Sequence, residues 1–117
     1  MHILSDESKF RDICTKETKG IIRIRTITEQ VEHADYGKKF FHVTLSPGSV
    51  LPNNRQKEDT KICYILSGRL VFNDNGTEKI AQSGDICIVN RDQIHRLENR
   101  TKEPAEVIVL IEEGKTA

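Results

Sequence analysis

Residues 61–90, KICYILSGRLVFNDNGTEKIAQSGDICIVN, decide the fold. At their centre Asp74-Asn75-Gly76 separates Leu70-Val71-Phe72 from Lys79-Ile80. Asparagine and glycine tolerate the positive φ that a tight hairpin needs, so this spacing predicts an antiparallel pair closing there. On either side lie short apolar segments, 62–66 and 86–89, each set off from the hairpin by a glycine turn. Strand side chains alternate between faces, so Lys61, Cys63 and Ile65 share one side while Ile62, Tyr64 and Leu66 share the other. Both sides are largely apolar.

Working outward, the chain reads as short strands at 21–28, 40–45, 62–66, 70–73, 78–81, 86–89, 94–98 and 106–111. They are separated by glycine, proline, asparagine and aspartate clusters such as Ser46-Pro47-Gly48 and Ser83-Gly84-Asp85, the pattern of a sandwich or barrel. Residues 8–14 suit one or two helical turns. At 117 residues, with no linker and no repeat, the expectation is one domain, residues 1–20 forming an N-terminal extension. Val107, Val109 and Ile111 alternate with Ile108 and Leu110, so the last strand is also apolar on both faces. A barrel fills one face. A second copy is the simplest cover for the other, which predicts a homodimer, with exchange of the strand at 21–28 as one way to build it.

Composition narrows the partners. The 18 basic residues balance 18 acidic ones without long runs of either sign, which argues against nucleic acid and against anionic membranes. No apolar stretch approaches a bilayer span, and the first residues lack the pattern of an export signal, so a cytoplasmic protein is expected. Cys14, Cys63 and Cys87 are odd in number and show no C-x-x-C spacing, which argues against a disulfide framework or a zinc ribbon. Asn75-Gly76-Thr77 and Asn99-Arg100-Thr101 read as turn chemistry.

Gly48 and Gly68, the phrases Cys63-Tyr64-Ile65-Leu66-Ser67-Gly68 and Gly84-Asp85-Ile86-Cys87-Ile88-Val89, and the later His95 and Asn99 together resemble the two motifs of the cupin superfamily across residues 47–99. The resemblance implies an all-β double-stranded β-helix, or jelly-roll barrel. It also implies that the family's two first-motif histidines fall on Asn54 and Gln56, its glutamate on Lys61 and its second-motif histidine on His95. Asn90 and Asp92 stand where the second motif has proline and glycine. Phe41-His42-Val43-Thr44, Gly84-Asp85-Ile86 and His95 are similar to short phrases of ectoine synthase, a metal-dependent cyclase whose glutamate, tyrosine and histidine ligands would fall on Lys61, Cys87 and His95. A protonated lysine has no lone pair to give, so it does not replace a carboxylate ligand.

His95 fits a metal ligand, a general acid or base, or a hydrogen-bonding group at the barrel mouth, with Cys87 and His42 as its nearest helpers. Catalytic zinc and iron sites use about three protein ligands. The expected site is therefore metal-poor, with a divalent metal on His95, joined by Glu58 or Asp59 after a shift of the loop, as the alternative. His42 either faces solvent with Phe40 and Thr44 or faces His95 across the cavity. Lys61 either points into the lumen or snorkels outward from a solvated loop at 55–59. In the first case Asn54, Gln56, Lys61 and His95 form a cradle for a small anionic or carbonyl ligand. Cys63 and Cys87 read as small core residues, and Arg23, Arg25, Lys38 and Lys39 as a wet outer face.

Three functions follow from these readings. The leading one is binding of a small polar or anionic molecule in the lumen. The second is an enzyme: either a metal-dependent cyclase, lyase or oxygenase built on His95, or a metal-free isomerase with His95 and Lys61 as acid and base. The third is a structural or partner-binding module.

Overall fold

The Asn75-Gly76 turn closes as the sequence predicts. Both residues take positive φ, 52° and 98°, so that Asp74 pairs with Thr77 and the Gly76 amide donates to Asn73 Oδ1 at 2.9 Å. The computed structural model describes residues 10–13, 20–27, 38–51, 59–90, 93 and 95–112. Among these the strands are β1 (Arg11–Ile13), β2 (Ile22–Thr26), β3 (Lys38–Leu45), β4 (Val50–Leu51), β5 (Thr60–Ser67), β6 (Arg69–Asp74), β7 (Thr77–Gln82), β8 (Ile86–Val89), β9 (His95–Glu98) and β10 (Ala105–Glu112). They form two antiparallel sheets, ordered β1-β2-β3-β10-β5-β8 and β4-β9-β6-β7. This is the expected all-β jelly roll. Among the described residues no helix is long and apolar enough to cross a membrane.

Alternation turns one side of each strand inward. Ile22, Ile24, Val43, Leu45, Ile65, Leu70, Leu97, Val107 and Val109 are buried in one apolar cluster between the sheets. β10 lies between β3 and β5 and pairs with both along nearly its whole length. Its odd-numbered residues from Ala105 to Ile111 are buried, while Glu106, Ile108 and Leu110 on the other face are half-buried.

One expectation is corrected. Arg11–Ile13 extend as β1 instead of making helical turns, pairing with Ile22–Ile24 of β2. A single helical turn has few hydrogen bonds to offset its ordering cost, whereas the edge of β2 offers a ready ladder. Asp12 and Arg23, opposite each other in that ladder, form an ion pair at 2.9 Å. Residues 8, 9 and 14 lie outside the described residues. β2 pairs with β3 of its own chain and buries Ile22 and Ile24 in its own core.

Two residues hold the sheets in place. Gly68 links β5 to β6 at φ 86°, and a Cβ there would sit 2.7 Å from Ala105 Cβ. Asn99, which follows β9, is wholly buried. Its Nδ2 donates to the carbonyls of Leu45 at 3.1 Å and Glu103 at 2.7 Å, and its Oδ1 accepts from the amide and hydroxyl of Thr101. Its main chain pairs with Gly48 and Ser49. The end of β3, the Ser46-Pro47-Gly48 turn and the 99–103 loop are thus fastened to one residue, the turn by its main chain and the other two by its side chain.

Asn99→Ala leaves several buried partners unsatisfied and is expected to cost about 3 kcal/mol. Gly68→Ala combines left-handed strain of about 1–2 kcal/mol with overpacking against Ala105 of about 1–3 kcal/mol. Urea denaturation measures both; wild-type midpoints would show that neither contact fixes the fold.

Candidate functional site

The inward faces of β5, β6, β8 and β9 carry the residues with chemistry. In β5, Lys61 follows the same alternation as Cys63 and Ile65, and its ladder partners are Val89 of β8 and Ile111 of β10. It is 1% exposed, among the most buried large side chains of the described residues. The snorkelling reading is therefore corrected: the alternation continues to the start of the strand and carries the ammonium inside with it. Burying a charge is costly unless partners compensate, which makes this position unlike an ordinary surface lysine.

His95 opens β9 and is buried on the same inward face as Leu97. Its ring centroid lies 6.4 Å from that of Phe72, with the planes tilted 42°. Its ladder partner is Asp74, the last residue of β6, so the Asp74 side chain stands on the His95 side of the sheet. Cys87 of β8 is buried opposite Cys63 of β5.

His42 does not join this group. Val43 and Leu45 take the inward positions of β3, so His42 stands on the outer face, half-buried, between Arg25 of β2 and Ile108 of β10. Its Nε2 is 3.2 Å from Glu106 Oε1, and Glu106 Oε2 accepts from the Ser67 hydroxyl at 3.3 Å. The option that His42 faces His95 across the lumen is corrected, because the apolar alternation of β3 decides the face. Asn54, Gln56 and Glu58 lie outside the described residues, as does Asp92. Asp59, just before β5, is buried.

A cavity of about 320 Å³ opens between β7 and β8, where the two sheets end. Phe72, Asp74, Ala81, Asp85 and Cys87 line it, with Lys79, Ile80, Ile86 and Ile88 around it. Burial, followed by electrostatic coupling to the Cys63 thiol and by the negative charges of Asp85 and Asp74, pushes the Cys87 thiol up to about 12. Burial also raises Cys63, and the Lys61 ammonium partly opposes it. Both thiols therefore stay protonated at neutral pH, which makes them poor nucleophiles.

The cupin metal set does not fit these residues. Lys61, onto which the motif resemblance puts the family's glutamate, offers an ammonium where a cation needs a lone pair. Among the described residues no group of three or more histidine, cysteine, aspartate or glutamate side chains is arranged to hold a metal ion.

Sequence reasoning passed over Asp74, Asp85 and Phe72. For Asp74 and Phe72 the signal was available, since an Asn75-Gly76 hairpin with Leu70 inside also turns Phe72 and Asp74 inward. Asp85 is set by its turn, where its carboxylate accepts from the Gln82 amide at 2.9 Å.

Comparison with known proteins agrees with this architecture. A solved structure from Thermotoga maritima, described as a predicted oxalate decarboxylase, superposes with a TM-score of 0.82 at 26% identity, covering 97% of this chain and 99% of that one. The oxalate-binding protein of Thermotoga maritima is 27% identical over 93 residues, 80% of this chain and 77% of its own length. The tetracenomycin polyketide synthase protein TcmJ of Streptomyces glaucescens is 34% identical over 70 residues, 60% of this chain, and the match spans 47% of that protein's length. The cupin domain family matches residues 41–111, from within β3 to within β10. That is more than half of the 117 residues, and the chain belongs to the cupins.

Proposed function

We propose that this cupin binds a small carboxylate-bearing molecule in its lumen, recognised through Lys61. The observation that carries the reading is a lysine with 1% exposure on the inward face of β5, where the motif resemblance would put the family's glutamate. Exchanging an anionic ligand residue for an ammonium inverts the preference of the pocket from cations to anions. In this reading Lys61 pairs with the carboxylate and His95 supplies a second hydrogen bond from the opposite sheet. Asp74 and Asp85 oppose an anion near Cys87, so charge recognition falls to the Lys61 end. An oxalate-binding relative at 27% identity supports the same ligand chemistry.

Oxalate and a series of small mono- and dicarboxylates are the probes. A ligand at a hundred times its Kd stabilises the fold by about 2.7 kcal/mol, several degrees in Tm. Lys61→Met is expected to weaken binding at least tenfold, and His95→Ala to weaken it less. Calorimetric binding undiminished in Lys61→Met would overturn the reading; turnover of a bound ligand that His95→Ala abolishes would shift it to catalysis.

The same reading extends to a homodimer formed through the outer face of the larger sheet. Cross-strand pairs Ile88–Ile62 and Ile86–Tyr64 continue into Leu110 and Ile108 of β10, making an apolar surface across three strands. Ile86 and Ile88 are 61% and 51% exposed. A second copy supplies a matching face by two-fold symmetry. Light scattering is expected to give twice the chain mass at micromolar concentration, with Ile86→Glu giving the monomer. A monomeric wild-type protein would rule out the dimer.

A further inference from the structure

We propose that Cys63 and Cys87 form a two-thiolate site for a soft monovalent cation of the Cu(I) class, reached through the cavity between β7 and β8. The two residues are ladder partners in β5 and β8, so both side chains stand on the inward face, and both are buried, at 0% and 6% exposure. Their spacing follows from the ladder. The Ile65 amide donates to the Asp85 carbonyl at 3.0 Å, which marks a hydrogen-bonded position. Two residues along, the alternation of an antiparallel pair makes Cys63 and Cys87 another such position, with Cα atoms about 5.5 Å apart.

The opposed Cβ atoms of a hydrogen-bonded position stand about 5.5 Å apart, and it is this distance that favours an ion over a disulfide. A disulfide draws its Cβ atoms to about 3.8 Å, so closing one here requires the strands to approach. A two-coordinate ion with metal–sulfur bonds of about 2.3 Å holds its sulfurs about 4.6 Å apart, and rotation of the two side chains reaches that distance across an undisturbed ladder. Thiolates select soft ions such as Cu(I). Zinc needs four ligands, and among the described residues no third histidine, cysteine, aspartate or glutamate is arranged to complete such a group.

The surroundings suit a cation that enters and a complex that stays. Cys87 lines a cavity of about 320 Å³ that also presents Asp74 and Asp85, whose negative charge attracts an approaching cation. Binding exchanges two S–H protons for one ion, Cu⁺ + 2 RSH → [Cu(SR)₂]⁻ + 2 H⁺, with no change of oxidation state. Lys61, two residues from Cys63 on the same face, is close enough to act on its charge and balances the net negative complex.

The test is titration of the reduced protein with Cu(I) under anaerobic conditions against a competing chelator, read by native mass spectrometry and by the near-ultraviolet thiolate-to-copper band. One Cu(I) per chain is expected in wild type and in Cys14→Ser. Affinity is expected to fall at least a hundredfold in Cys87→Ser, Cys87→Ala and Cys63→Ser, with circular dichroism confirming each fold. Should Cys63→Ser fail to fold, the two Cys87 variants at the cavity wall decide. Loss of copper in Cys14→Ser, its retention in the Cys87 variants, or equally tight binding of Zn(II) would overturn the proposal. Oxalate binding that persists in Cys87→Ser, whose copper binding is lost, separates this site from the carboxylate pocket.

Discussion

The register of β5 against β10 and β8 is the constraint on which the rest of the structure depends. A strand has a side-chain period of two, so a slip by one residue would turn Lys61, Cys63 and Ile65 outward and bring Ile62, Tyr64 and Leu66 inside. Both sets are largely apolar, so hydrophobic burial alone discriminates weakly between the two registers. The choice is made at the ends of the strand. Gly68 fits against Ala105 with no room for a Cβ, and the Ile65 amide and carbonyl are taken by Asp85 and Gly84. These contacts fix β5 to both of its neighbours, and the inward position of Lys61 follows.

An ammonium in such a position sets a condition on everything around it. The desolvation cost of a buried charge is several kcal/mol unless hydrogen bonds or opposite charge offset it, and a fold that keeps one has its compensation at the site. The inward faces supply both signs at different places: Lys61 at the start of β5 in the larger sheet, and Asp74 and Asp85 at the slot where the sheets part. The slot favours cations, while the lysine favours anions. The two raised thiols lie between these regions, both held neutral by burial and Cys87 also by the carboxylates.

What the sequence disclosed was chiefly local. The Asn75-Gly76 hairpin, the glycine turns and the alternation of β10 are each written in neighbouring residues, and each appears in the structure where the spacing placed it. Asn99 matched a family position without revealing its work, which is to fasten the end of β3 and the 99–103 loop by side-chain hydrogen bonds. The face of Lys61 was undecidable from residues 55–61, because a polar loop running into a strand gives no marker of where alternation begins. The pairing of Cys63 with Cys87 was invisible for another reason. It depends on how two strands 24 positions apart align, and that alignment is set by the turn at Ser83-Gly84-Asp85, which holds no cysteine.

β5 and β8 also link the two faces of the larger sheet. Lys61, Cys63 and Cys87 look into the lumen, while Tyr64, Leu66, Ile86 and Ile88 look out. Because the faces alternate residue by residue, any displacement of these strands by a lumen ligand moves the outer face by the same amount. A β8 at the end of its sheet has a hydrogen-bonded neighbour on one side only, so it resists such displacement less than β10, which is held on both. The cross-strand rows that join Cys63 to Cys87 and Tyr64 to Ile86 are the physical connection between the lumen and the outer face.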